Sequence, residues 1–233
     1  MIRAFMCLLL LATAGSAQTI ADVQFREPTN RYAHHPMGPD VADHGALEIT
    51  LDDGSRRLIR LPQSRVFEDN AARLADVTGD GRPEVVVVES DHNNGARISV
   101  YGIDGLVASS PFIGRRNRWY AIAAIADLDG DGRVEVATVD RPHLRKTMVI
   151  WQLEGQRLIS VAEYAGVSNH RFGEADIEGG VRNCGAGPEL IVARGDWTGL
   201  VSLRFEGGIL MGQDLGGGAN SQRFQQAMAC IDN

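Results

Sequence analysis

Polar and apolar residues alternate with a period of two through four stretches, each broken once by a turn signal. These are ALEITLDDGSRRLIRL from Ala46, RISVYGIDGLVAS from Arg97, MVIWQLEGQRLISV from Met148 and LVSLRFEGGILMG from Leu200. Asp-Gly, Glu-Gly and Gly-Gly supply the positive φ angles that tight hairpins need, so each stretch predicts two antiparallel strands. Shorter apolar runs, Val85 to Val88, Val134 to Val139 and Leu190 to Ala193, precede three of the hairpins and predict a further strand in each unit. No segment shows a 3.6-residue period for more than about two turns, which predicts an all-β chain.

The units repeat. RLADVTGDGRPEVVVV (residues 73–88) aligns without a gap on AIADLDGDGRVEVATV (residues 124–139), with Asp76 on Asp127 at an offset of 51. A third copy, Glu174 to Arg194, keeps Asp176 and the Pro188-Glu189 exit around an insertion that holds Cys184, and Arg223 to Asn233 resembles the opening of a fourth. Four units of about fifty residues, each with about four short strands, predict a small β-propeller whose blades cover one another's faces. The expected units are residues 20–66, 67–117, 118–168 and 169–222. A closing strand at 223–233 would pair into the first blade and give four closed blades. The alternative is a β-sandwich of consecutive hairpins.

Composition narrows the setting. The 233 residues carry 23 Lys and Arg against 30 Asp and Glu, a net charge of −7, which disfavours nucleic acid and anionic lipid as partners. Gly is abundant, at 27 residues, as a turn-rich chain requires. Residues 1–17, MIRAFMCLLLLATAGSA, have the layout of a secretory signal peptide cleaved after Ala17, with an apolar run too short to span a bilayer. A monomer in the periplasm or outside the cell, without a membrane span, is expected. Export leaves Cys184 and Cys230, and one disulfide between them would close a loop worth about 4 kcal/mol in the chain-entropy model; two buried free thiols are the alternative.

The acidic loops carry the strongest chemistry. Asp127, Asp129, Asp131 and Glu135 occupy positions 1, 3, 5 and 9, with the Arg133 carbonyl at position 7, and such an all-oxygen set suits Ca²⁺. An EF-hand is excluded, because its position 12 is Thr138 and a β-run follows. The other loop offers Asp76, Thr78, Asp80, Glu84 and the Arg82 carbonyl, with a hydroxyl replacing one carboxylate and a lower affinity expected. Asp176, Glu178 and Glu189 remain in the third loop, where a disulfide is expected to do the holding. The competing reading for all three is an Asp-Gly turn whose carboxylates cap backbone N–H groups without an ion.

The two complete loops with their following strands resemble the FG-GAP or VCBS repeats of integrin α-subunit propellers and of many exported bacterial proteins. The resemblance covers residues 67–165 well and 166–215 weakly, and the Phe-Gly signature survives only at Phe172-Gly173. It implies a β-propeller with Ca²⁺ held by Asp127, Asp129, Asp131 and Glu135, and by Asp76, Thr78, Asp80 and Glu84. The family includes adhesion modules and carbohydrate-active enzymes, so the resemblance points to fold more than to function.

Catalytic motifs are sparse. The chain has no G-x-S-x-G, H-E-x-x-H or P-loop pattern. His34 and His35 read as loop histidines lacking a third converging group, and Gly216 to Gly218 read as a flexible connection. Arg115, Arg116 and Arg118 with Trp119 and Tyr120 suit an acidic sugar or a carboxylate, or else a solvated loop. The favoured function is a non-catalytic, Ca²⁺-stabilised binding or scaffolding module for a protein or carbohydrate ligand. The alternative, a small polysaccharide hydrolase or lyase, requires free carboxyls or a His–carboxylate pair across a cleft, and Glu163, Glu174 and Asp196 are the acids left over for it.

Overall fold

The computed structural model describes residues 18–231; the signal peptide expected at residues 1–17 lies outside the described residues. The chain is all-β, with 51% strand and 4% helix, in two curled open sheets, an arrangement consistent with a propeller-like or a sandwich fold. The first unit holds β1 (Ile20–Thr29), β2 (Asp43–Leu51) and β3 (Arg56–Arg60). The second holds β4 (Arg65–Phe67), β5 (Arg73–Ala75), β6 (Glu84–Asp91), β7 (Gly95–Gly102) and β8 (Gly105–Ser109). β9 (Tyr120–Ala126), β10 (Glu135–Asp140), β11 (Thr147–Glu154) and β12 (Arg157–Ala165) form the third. The fourth comprises β13 (Val167–Ser168), β14 (Gly180–Asn183), β15 (Pro188–Arg194), β16 (Leu200–Glu206) and β17 (Ile209–Gly216), followed by helix α1 (Ser221–Met228).

Pairing within each unit is antiparallel, and the hairpins fall where alternation and the Gly turns predict them. Links between units are thin. β2 meets β4 through His44 opposite Phe67, and β8 meets β12 through Ser109 opposite Arg157. Side-chain packing does the joining instead, through strands that are apolar on both faces. In β6, Val85 and Val87 face the first unit with Leu47, Ile49 and Phe67, while Val86 and Val88 face the third with Trp119, Tyr120 and Val136. In β15, Leu190 and Val192 pack against Met148 and Ile150 of β11, and Ile191 and Ala193 turn the other way. A strand covered on both sides needs apolar residues at both parities, which is why its sequence is a continuous run; the outer strands β3, β8 and β12 keep exposed positions.

The C-terminal segment departs from the expected closing strand at 223–233: Ser221 to Met228 are helical, so this segment does not join the two ends of the fold. The Asn220 side chain caps the helix by accepting from the Arg223 N–H at 2.9 Å. Phe224, Ala227 and Met228, at i, i+3 and i+4, then form one apolar face over Ile191, Ala193 and Leu200. That face covers the side of β15 that another blade would have covered. The Cys184–Cys230 disulfide, with Cα atoms 5.7 Å apart, ties the end of the helix to the β14–β15 turn. The Arg182 guanidinium adds a bond to the Ala227 carbonyl.

Truncating Phe224, which is 2% exposed, should therefore cost about 3 kcal/mol. Phe224→Ala is expected to lower the denaturant midpoint, whereas Gln225→Ala on the exposed side of the same helix should stay within about 0.5 kcal/mol of the parent.

Candidate functional site

Two loops, between β5 and β6 and between β9 and β10, are built alike. Gly79 and Gly81, with φ of 73° and 85°, and Gly130 and Gly132, with 79° and 89°, take left-handed conformations that let the chain curl round the first Asp of each loop. Asp76 accepts from the N–H groups of Gly79 at 2.8 Å, Asp80 at 3.1 Å and Gly81 at 2.8 Å. Asp127 accepts from Gly130 at 2.7 Å and Gly132 at 3.0 Å. The Glu at the start of each following strand folds back over the loop. Glu84 accepts from Val77 N–H at 2.9 Å, Thr78 N–H at 3.1 Å and the Thr78 hydroxyl at 3.1 Å. Glu135, fully buried, accepts from Leu128 N–H and the Gln152 amide, each at 2.9 Å.

Carboxylate oxygens converge as a result. One oxygen from each of Asp76, Asp80 and Glu84 lies within 4.8 Å of the others, and Asp127, Asp129 and Glu135 do the same. Asp131, the counterpart of Asp80, is outside that group: it is ion-paired to Arg133 at 3.0 Å. Thr78 is bonded to Glu84, and the side chain of Arg82 pairs with Asp80 at 2.5 Å. These bonds hold the Asp80 carboxyl below its usual range, chiefly through the Arg82 guanidinium, and Asp131 likewise, chiefly through the Arg133 N–H. Burial pushes Glu135 the other way. N–H capping and carboxylate convergence thus coexist in each loop.

The third loop takes another course. Glu189 is held by Arg182 at 2.9 Å and Glu178 by the Ser221 hydroxyl at 2.6 Å, while Cys184 is in the disulfide. The leftover acids are also engaged: Glu163 pairs with Arg145 at 2.7 Å, Glu174 with Arg171 at 3.9 Å and Asp196 with Arg194 at 3.7 Å.

At the opposite ends of β9 and β10 lies a buried polar cluster that linear spacing did not reveal. His34 Nδ1 sits 2.7 Å from Glu68 Oε1, and the fully buried Glu68 also accepts from the Ser90 hydroxyl at 2.5 Å. Trp119 Nε1–H donates to the Glu68 carbonyl at 2.7 Å. His143 Nε2 meets His170 Nδ1 at 2.9 Å, and His170 Nε2–H donates to the Glu174 carbonyl at 2.7 Å. Asp43, 1% exposed, is pushed up to about 8 by burial and by the neighbouring Glu68. His143 is pushed down to about 4 by burial and by His170. The partners come from segments 34 to 68 and 143 to 170, too far apart for a motif. His35, by contrast, takes a φ of 48° with its Nδ1 buried and unbonded.

The signs of these two shifts differ. Raising the Asp43 pKa stabilises the fold at low pH, and that contribution fades as pH rises from about 4 to about 8; lowering that of His143 stabilises it above about 6.5, and the contribution fades as pH falls toward 4. Between about pH 6.5 and 8 Asp43 therefore acts alone of the two, with a slope of up to about 1.4 kcal/mol per pH unit. Asp43→Asn should flatten the decline of unfolding free energy over that interval, measured by urea unfolding at a series of pH values.

Comparison with known proteins yields one family match. Residues 76–138 fit the model described as an FG-GAP-like repeat, which begins at the first Asp of one acidic loop and ends three residues past the Glu of the other. Curated proteins give no match. Among solved structures, the crystal structure of exotype rhamnogalacturonan lyase YesX matches with a TM-score of 0.43 and 17% identity, over 72% of this chain and 40% of that one. The segment that carries both converging acidic loops thus matches an FG-GAP-like repeat.

Proposed function

We propose that the chain is an exported, Ca²⁺-stabilised propeller-like module with a binding or scaffolding role and no catalysis of its own. One observation carries the reading: three carboxylates converge in the equivalent loop of two successive units, at Asp76, Asp80 and Glu84 and at Asp127, Asp129 and Glu135, with the first Asp and the Glu at matching positions and the middle Asp at a different one. An all-oxygen set without thiol or imidazole fits a hard cation, and the N–H bonds described above leave lone pairs on the carboxylates. Asp127, Asp129 and Glu135, with the Arg133 carbonyl, would hold one ion; Asp76, Asp80 and Glu84, with the Arg82 carbonyl, would hold the other. Asp131 and Thr78 would complete the shells on release from Arg133 and Glu84. Each bound ion would offset repulsion among like charges and pin a β-turn to the strand that follows it.

Other features agree. A disulfide suits an oxidising compartment, periplasmic or extracellular, and no helix among the described residues is long and apolar enough to cross a membrane. Asp80, Arg82 and Glu84 also line an open hollow of about 400 Å³, bounded by Gln18 to Ile20 and by the Gly102–Val107 turn, which gives the first loop a side open to a protein or carbohydrate ligand. Glu163, Glu174 and Asp196, the acids left outside the loops, are held in ion pairs with Arg145, Arg171 and Arg194. A monomer is expected.

A ligand that binds only the folded state stabilises it by mass action, about 2.7 kcal/mol at a hundred times its Kd. For a chain of this size that corresponds to a rise in Tm of roughly 5–10 °C. Thermal unfolding in EDTA and then in Ca²⁺ should show such a rise, with little response to Mg²⁺. The double variant Asp76→Ala/Asp127→Ala should remove it. A parent protein with the same Tm in EDTA and Ca²⁺ would show that both loops are metal-free turns.

A further inference from the structure

The connection from β8 to β9 concentrates positive charge in an acidic protein. Arg115, Arg116 and Arg118 lie within it, and among the described residues none of the three is in an ion pair with a carboxylate, although most arginines of the chain are. The connection is held stiffly. Gly114 and Arg115 donate to the Asn94 carbonyl at 2.8 and 3.0 Å, Ala96 donates to the Arg118 carbonyl at 2.8 Å, and Asn117 donates to the Tyr32 hydroxyl at 2.8 Å. Gly95, with a φ of 71°, lets the two segments approach so closely that a Cβ there would stand 2.2 Å from the Arg115 carbonyl oxygen. Asn117 and Arg141, on either side of the neighbouring notch, take φ of 54° and 48°, unusual for residues with side chains.

The notch is lined by His34, Asn117, Arg118, Trp119, Arg141 and His143, with room for about 20 Å³. That is the space of a single small polar group. Both histidines have their outward chemistry set from behind. Glu68 takes the Nδ1 side of His34, leaving Nε2 as its remaining polar atom. His170 gives its Nε2 proton to the Glu174 carbonyl, so in the neutral pair His143 donates from Nε2 and keeps an unprotonated Nδ1. The acids beneath do not cancel the arginines: Glu68 is satisfied by His34 and Ser90, Asp43 is mostly protonated at neutral pH, and Asp140 is taken by Arg141 and Arg145. Beside the notch stand two exposed apolar side chains, Leu144 at 63% and Phe172 at 65%, the latter edge-on to His143 at 5.3 Å between ring centroids.

From this juxtaposition we propose a second binding site, at the ends of β9 and β10 away from the acidic loops, for a ligand whose carboxylate enters the notch beside Arg118 and His34 while an attached ring lies against Phe172 and Leu144. A sugar acid and an aromatic acid share that chemistry. The flat, two-oxygen anion matches a guanidinium fork, and the exposed ring supplies an apolar platform. The site uses none of the acidic-loop residues, so it does not depend on whether those loops hold Ca²⁺.

Calorimetric titration of the protein in EDTA, with glucuronate, benzoate, glucose and inorganic phosphate as probes, tests it. The Trp119 indole N–H resonance serves as a local reporter. Glucuronate or benzoate should bind saturably and shift the Trp119 signal, and which of the two binds more tightly identifies the source of the carboxylate. Arg118→Gln and Arg118→Ala should each weaken that binding by about tenfold with Tm unchanged, as for loss of one charge-assisted contact, whereas Arg57→Gln on β3 should leave it as it was. The proposal fails if glucose binds as well as glucuronate, if phosphate outcompetes both acids, or if neither arginine variant alters the affinity.

Discussion

The inner strands β6 and β15 are apolar on both faces, and their own units do not bury both faces by themselves. The fold follows from that constraint. Val85 to Val88 must be met by the first unit on one side and by the third on the other, and Leu190 to Ala193 need a neighbour on each side too. Because the strand pairings between units reduce to single residue pairs, apolar packing between sheets does most to set how the units sit together. In the fourth unit the short helix α1 covers the side of β15 that carries Ile191 and Ala193.

With the strands fixed by their faces, their ends are free to carry chemistry, and the two ends differ. Where β9 leads into β10, glycines with positive φ gather carboxylates. Where β10 ends and β9 begins, segments distant in sequence gather imidazoles, guanidinium groups and an aromatic edge. The first arrangement is local, written into nine consecutive residues. The second is assembled from connections as far apart as Tyr32 and Phe172, with Gly173 N–H donating to the Pro36 carbonyl at 2.7 Å to bring the first and fourth units together.

This difference explains what the sequence made legible. Strand alternation, the 51-residue repeat, the hairpin turns, the acidic loops and the cysteine pair are local or periodic signals, and each appears in the structure. The helix was missed because Arg223 to Asn233 resembles the start of a blade in composition; the clues were the Asn220 cap and the i, i+3, i+4 spacing of Phe224, Ala227 and Met228. Asp131 lies outside the converging group although Asp80, paired in the same way to the arginine two residues on, lies inside its own, so the linear pattern alone does not separate them. His34 looked isolated because Glu68 is 34 residues away and reaches it only through the turn of the chain.

The helix also bears on how the fold ends. A stack of units that cover one another has no intrinsic stopping point, and without α1 the face that carries Ile191, Ala193 and Leu200 would be bare. The amphipathic α1 presents Phe224 and Ala227 inward and Gln222 and Gln225 outward, which ends the stack with a polar surface. The Cys184–Cys230 bond and the Arg182 guanidinium fasten that cover at its far end, so the polar surface that finishes the fold is tied covalently to the strand pair beneath it.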